Sequence, residues 1–442
     1  MAPTFPRGRD RLAAVAFGSI VSCAMLLSGC AVAAQSTGAA VVTVPTDAAT
    51  ITEAVSMVSA GGLILVEPGT YTESVSVNKN DVTIRGTDRN TVVIDGEGLR
   101  PNGIEVIAGG VRIQNLTVVN HTFNGVLVTG LHDANGAQAH SLDGYSKLDP
   151  EKFPPLQRFE VSNVTASNNG LYGIYAFNSQ HGVIRDNYTS GSADSGFYVG
   201  QCAECDILVT GNVAENNAIG YENANASDSV IVVGNRFTSN RVGLTLISWY
   251  QEAYLPQKSA TVVGNLIADN NSSNSPKQAM GAFGLGVGLS GANSNLFERN
   301  LIAGNWSTGL QVTNTEDLPS VGNRLTDNVF EENGVDVADL SASRTPSSDT
   351  CISGGIVATV LPAGFAESCG TGSPGAAQAS DLPAVTVPPG ISFLKVPAGP
   401  RQPGMTGNLS QRPAALPRAV AMPDLALVGV PDRQLFAERV KG

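Results

Sequence analysis

The chain has 442 residues, a formal net charge of −12, 42% hydrophobic residues and only 14% charged ones. Its length can bury a large core, and 49 glycines with 6% aromatic residues point away from a helical enzyme domain and towards a turn-rich β protein. Such acidity leaves no basic face for phosphate and excludes a nucleic-acid partner. Neutral or cationic ligands remain, or an acidic polymer held through a cation, with Ca2+ the candidate.

In chain order, Arg7, Arg9 and Arg11 precede the apolar run LAAVAFGSIVSCAMLLSG. Residues 1–29 read as an export signal and are set aside from the fold. The run ends in LLSGC, which resembles the lipobox of bacterial lipoproteins. That resemblance implies cleavage before Cys30, lipidation of Cys30 and anchoring on the outer face of the cell membrane. A plain signal peptide or a membrane anchor is the alternative. Residues 30–40 are small and polar and read as a flexible tether. Four cysteines remain, expected as two local disulfides, Cys202–Cys205 and Cys351–Cys369, in an oxidising compartment. A four-cysteine zinc site is the less favoured use of the same residues.

ATITEAVSMVSAGG reads as a short amphipathic helix with Ile51, Ala54, Val55 and Val58 on one face and a Gly-Gly stop. Strands and turns follow, and then a repeat of about 23 residues takes over. Its mark is an Asn pair five apart. The first Asn is at Asn115, Asn163, Asn212, Asn235, Asn265, Asn300 and Asn328, and the second at Asn120, Asn168, Asn217, Asn240, Asn270, Asn305 and Asn333. One rung departs, with Ser192 five after Asn187. Each period also holds a glycine-led alternating strand, beginning at Gly125, Gly173, Gly196, Gly220, Gly243, Gly286 and Gly309. A lone unit of this size cannot bury an apolar face, whereas stacked units cover one another. Equivalent residues then lie one above another at about 4.8 Å, with asparagines bonding along the stack.

This pattern resembles the right-handed parallel β-helix proteins of the pectate-lyase-like group. The resemblance implies an all-β, right-handed, single-stranded parallel β-helix (a solenoid) over residues 41–345, with an N-terminal capping helix. Residues 346–442 are rich in Pro, Gly and Ala and read as an extended tail, partly disordered. Ile391, Phe393, Leu394 and Val396 offer the alternative of a strap along the solenoid. The group's catalytic motifs are missing: no Gly-His-Gly with paired aspartates, no Arg-x-Pro-x-x-Arg in the repeats, no Asp-Pro-His-Asp. No activity carries over residue by residue.

What remains is geometry. Two long insertions, at 131–158 and 249–258, follow the glycine-led strand at the same point of the period. Long loops without structure of their own are usually functional. Between them the outward positions are Tyr175, Tyr198 and Glu222, a floor suited to sugar rings, with Trp249, Tyr250 and Glu252 on the second wall. Candidate acid–base residues are Glu222 and, in the first wall, His132, Asp133 and His140. Asp194 and Arg241, in the same register, read as a lyase-type couple or a plain surface pair. The expected partner is a cell-envelope or environmental polysaccharide. The readings are an enzyme (lyase, epimerase or hydrolase), a non-catalytic binder or scaffold, and an accessory metal-delivery protein. No motif fixes a metal.

Overall fold

The computed structural model describes residues 38–138, 148–314, 316–365, 367–369 and 375–440. The export signal, Cys30, most of the tether and His140 lie outside the described residues.

Three parallel sheets run the length of the solenoid. Sheet A has 13 strands, from Ala39–Val44 to Glu367–Ser368. Sheet B has 10, from Gly69–Tyr71 to Val329–Glu331, and sheet C has 12, from Val75–Val77 to Ala377–Gln378. Each complete inner turn of chain contributes one strand to A, then B, then C, as in Leu156–Ser162, Thr165–Ser167 and Ile174–Phe177. Each strand pairs in parallel with its equivalent in the next coil. Parallel connections within a sheet are right-handed, and the winding is the right-handed parallel β-helix. The core is a set of interior stacks: Phe197, Tyr221, Leu244 and Val287 follow one another in register and are fully buried.

A helix at Ile51–Met57 closes the first coil with Ile51, Ala54 and Val55 inward. The Thr50 hydroxyl accepts the Glu53 N–H, and the Glu73 carboxylate takes the N–H groups of Ile51 and Thr52. Its orphan N-terminal donors are thereby satisfied. Val58 already belongs to the next strand rather than to the helix.

The asparagines form two buried ladders at the turns flanking sheet B. One runs Asn187, Asn212, Asn235, Asn265, Asn300, Asn328, and the other Asn217, Asn240, Asn270, Asn305, Asn333. In the first coils the register differs from expectation by one residue. Asn115, Asn120, Asn163 and Asn168 occupy left-handed turn positions at φ 53–59°. The buried column is continued by Asn169, whose Oδ1 accepts the His121 N–H. Asparagine satisfies both turn positions, so spacing alone does not separate them. The glycines beside the ladders are steric: a Cβ on Gly220 would lie 2.5 Å from the Gly243 carbonyl and 2.9 Å from the Asn240 amide nitrogen.

The C-terminal region departs from expectation twice. The solenoid runs past residue 345, since Cys351–Ser353 and Thr359–Leu361 continue sheets A and C. The remainder is a strap. Arg241 donates to the carbonyls of Pro388 and Pro389 at 2.9 Å, Arg89 to Pro403 at 2.9 Å and Arg85 to Leu409 at 2.8 Å. Arg439, at the far end, returns a bond to the Gly211 carbonyl. Extended proline-rich chain leaves its carbonyls unpaired, and buried guanidiniums need acceptors, so each satisfies the other. Val420, Met422, Leu425 and Val428 cover Leu208, Val233 and Val263 on the outer face. The disulfides are Cys202–Cys205 and Cys351–Cys369, with Cα atoms 5.3 and 4.9 Å apart.

Candidate functional site

On sheet C the outward positions form one row: Leu127, Tyr175, Tyr198, Glu222, Thr245, Gly288 and Gln311, each opposite the next. The two tyrosines and the carboxylate are therefore direct neighbours on one face. They are not an open floor. Tyr175, Tyr198 and Glu222 are 6%, 2% and 8% exposed. The cause is Tyr172, which folds over from the turn between sheets B and C. Its ring stacks on Tyr175 at 4.2 Å between centroids and lies 5.1 Å from Tyr198. Tyr175 and Tyr198 meet edge to face at 4.6 Å, and Phe177 and Trp249 close the cluster.

The row floors a cavity of about 1140 Å3. Two walls come from the loops expected, with Leu131, Asp133 and Phe153 on one and Trp249, Gln251 and Glu252 on the other. A third wall comes from residues 269–284, between sheets B and C, through Gln278 to Ala282. This insertion lies at the opposite end of the sheet C strand and was not read as a wall. A Cβ on Gly288 would meet nothing closer than 3.3 Å, so the row is hollowed there beyond Thr245.

The chemistry concentrates at three carboxyls. The Ser195 hydroxyl lies 2.8 Å from Glu222 Oε2 and 3.3 Å from Asp194 Oδ1. Burial, then the Asp194 charge, pushes Glu222 well above the usual carboxylate range. Burial likewise raises Asp194, against hydrogen bonds from Ser195 and Tyr172. Glu252 is pushed up to about 7, mainly by burial and further by Glu316, while its hydrogen bond from Gln201 opposes the shift. Two carboxyls around one hydroxyl do not ionise together cheaply, so both are held above the usual carboxylate range. One member can donate a proton while the other accepts one.

The other candidates are placed differently. Asp133 lines the cavity, but its carboxylate accepts the Asn135 N–H at 2.7 Å, a turn contact. His132, on the hairpin His132–Asp133 with Gly136–Ala137, is outside the lining. Tyr250 is 52% exposed and also outside it, because its strand has ended and the loop turns it away. Trp249 and Glu252 line the cavity. Asp194 and Arg241 are not a couple. Asp194 is in the cavity, whereas Arg241 is buried with Ser275 and the strap and stacks over Phe283 at 5.5 Å. His181 bonds Asp206 at 2.8 Å, and His121 is fully buried. Tyr172 and Ser195 were missed. Ser195 reads as an ordinary strand start, and only stacking reveals that a turn tyrosine caps the row.

The family described as periplasmic copper-binding protein (NosD) matches residues 56–279, and a right-handed β-helix region matches 253–360. The chain belongs to the NosD family. That match spans the coils that carry the carboxyl pair. Among solved structures, this NosD-family chain is similar to the mannuronan C-5 epimerase AlgE6 A-module of Azotobacter vinelandii, at 14% identity over 68% of this chain and 85% of that one, TM-score 0.46. It is similar to the periplasmic alginate epimerase AlgG at 15% identity, covering 75% and 82%, TM-score 0.40. It is similar to the pectate lyase Pel9A at 14% identity, covering 72% and 75%, TM-score 0.38. No curated protein matches the chain.

Proposed function

We propose that the chain is an exported protein that binds a stretch of glycan in the roofed groove of sheet C and cleaves it there with the Asp194–Glu222 pair. One observation carries the reading: the buried Glu222 carboxyl and the half-buried Asp194 carboxyl share the Ser195 hydroxyl and line an aromatic-floored cavity of about 1140 Å3. Tyr172, Tyr175, Tyr198 and Trp249 offer flat apolar faces with polar tips, the surface a sugar ring needs. The contacts to Ser195 hold the nearest oxygens of the two carboxyls at most roughly 6 Å apart, close enough for both to act on one glycosidic bond. The proton-bearing member serves as acid to the leaving oxygen, and the ionised one as nucleophile or base.

The two disulfides support an oxidising, extracytoplasmic location, and the LLSGC segment supports a lipid anchor at Cys30. The family's description raises copper. Copper sites are built from imidazole, thiolate and thioether donors. The four described cysteines are all in disulfides, and no three His, Cys, Asp or Glu side chains among the described residues converge to hold an ion. Among the described residues the imidazole, thiolate and carboxylate donors do not converge on a copper site, and no step runs through copper or Ca2+.

The test is a glycan panel followed by mass spectrometry of products. Asp194→Asn and Glu222→Gln should each lower turnover by roughly 10²–10⁴-fold, and wild-type rate against pH should be bell-shaped. Gly288→Leu, filling the hollow, should abolish binding while the fold persists. Full turnover in both carboxyl variants sinks the catalytic assignment, and unchanged binding in Gly288→Leu sinks the groove.

A further inference from the structure

Charge decides which glycan such a groove accepts. Among the described residues, its lining holds Asp133, Asp149, Asp194, Glu222, Glu252 and Glu316 against a single basic residue, Lys152. The same chain handles buried acids differently where no ligand is expected. Glu160, on sheet A, is flanked by Arg112 at 3.2 Å and Arg185 at 2.7 Å. In the groove the hydrogen-bond partners of these acids are neutral: Ser195 serves Glu222 and Asp194, and Gln201 serves Glu252. A buried carboxyl without a cation is costly, so the missing positive charge is one a ligand can supply.

Two further observations point the same way. The carboxyls stand beside aromatic faces, and ammonium groups bind aromatic faces as well as carboxylates. The Tyr198 side chain is 2% exposed, lines the cavity and makes no hydrogen bond among the described residues. Its hydroxyl is a polar group left for a ligand. The acids also lie on successive coils rather than around one point. Asp194 and Glu222 belong to neighbouring coils and Glu252 to the loop after the next sheet C strand. That spread suits charges repeated along a polymer, at a coil spacing of about 4.8 Å, better than one chelated ion.

Resting on the reading of the groove as a glycan site, we propose that its substrate is an amino-sugar polymer whose free ammonium groups complement Asp194, Glu222 and Glu252. Polyuronates are repelled by the lining, and N-acetylated chains bring no charge to offset it. An amino-sugar chain without a carboxyl beside the glycosidic carbon also has no acidic proton for elimination or epimerisation, which leaves hydrolysis. In that reaction water supplies OH to the anomeric carbon and H to the leaving oxygen, so atoms balance without a further reactant.

The experiment is calorimetry at about pH 6, where the sugar amine is protonated. The probes are a glucosamine tetramer, its N-acetylated counterpart and a uronic acid tetramer. The amino tetramer should bind at least about tenfold more tightly than the N-acetylated one, with no measurable uronate binding. Its arrival should also release protons, seen as a heat that changes with the buffer, because a neighbouring ammonium favours the ionised carboxyls. Glu222→Gln should shrink both the preference and the proton release. Equal or tighter binding of the N-acetylated tetramer overturns the amino-sugar inference and leaves the groove a glycan site. Tighter uronate binding overturns it too. No binding by any of the three, or by the wider panel, defeats the proposed function with it.

Discussion

Burial raises both Glu252 and Glu160, and only Glu160 has arginines beside it to outweigh that cost. Arg185 and Arg112 hold Glu160 below its usual value against the cost of burial, while Glu252, without a cation, is raised to about 7. A raised carboxyl takes up a proton in the folded state that the unfolded chain has already lost. The stability this contributes is complete below the unfolded value near 4.5 and disappears as pH climbs through 7. Between pH 5 and 8 the wild-type melting temperature should therefore fall more steeply than that of Glu252→Gln, by a few degrees. Parallel melting curves for the two proteins would refute the burial argument. The register of the repeat, with the second insertion, identified Glu222 and Glu252 as possible groove residues. It gave no sign that Tyr172 would roof them, because a turn side chain between two strands has no periodicity to reveal its direction.

Elements in this fold are held at their turns as much as in their strands. Asn240 donates to the Ala214 carbonyl at 3.0 Å and accepts the Asn217 N–H at 3.0 Å, both buried. Asn240→Ala leaves these groups without partners, at about 1–3 kcal/mol each, and should lower stability by roughly 2–5 kcal/mol in a denaturant titration. A change within about 0.5 kcal/mol would mean the ladder is decoration. The third wall of the groove depends on the strap. Arg241 bonds Ser275 as well as Pro388 and Pro389, and the Ile391 N–H bonds the Ser275 carbonyl. Arg241→Lys keeps the charge but loses the planar fork. It should open residues 271–284 and 386–391 to limited proteolysis together and weaken glycan binding several-fold. Cleavage in the tail alone would show that the wall stands without the strap.

At the scale of the molecule, the export reading has its own test. Cys30→Ser should move the protein from the membrane fraction to the soluble one and remove the acyl mass from the N-terminal peptide. Equal partitioning of the variant would end the anchor assignment. No helix among the described residues is long and apolar enough to cross a membrane. The winding itself was legible because a 23-residue period with alternating strands can bury its apolar face only by stacking, which makes Tyr175, Tyr198 and Glu222 neighbours whatever else the chain does. Local cysteine pairs were legible for the same reason, since short separations limit the choices. Three things were not legible in full: the roof of Tyr172, the wall from 269–284, and the contacts of the strap, which Ile391, Phe393, Leu394 and Val396 offered only as the alternative to an extended tail. Each joins residues with no shared period, such as Arg85 and Leu409, 324 apart in sequence. Repetition transmits one coil's geometry to the next, so a periodic sequence determines the cylinder. Closure of the groove, and with it the desolvation that shifts its carboxyls, arises only where irregular segments fold back onto that cylinder.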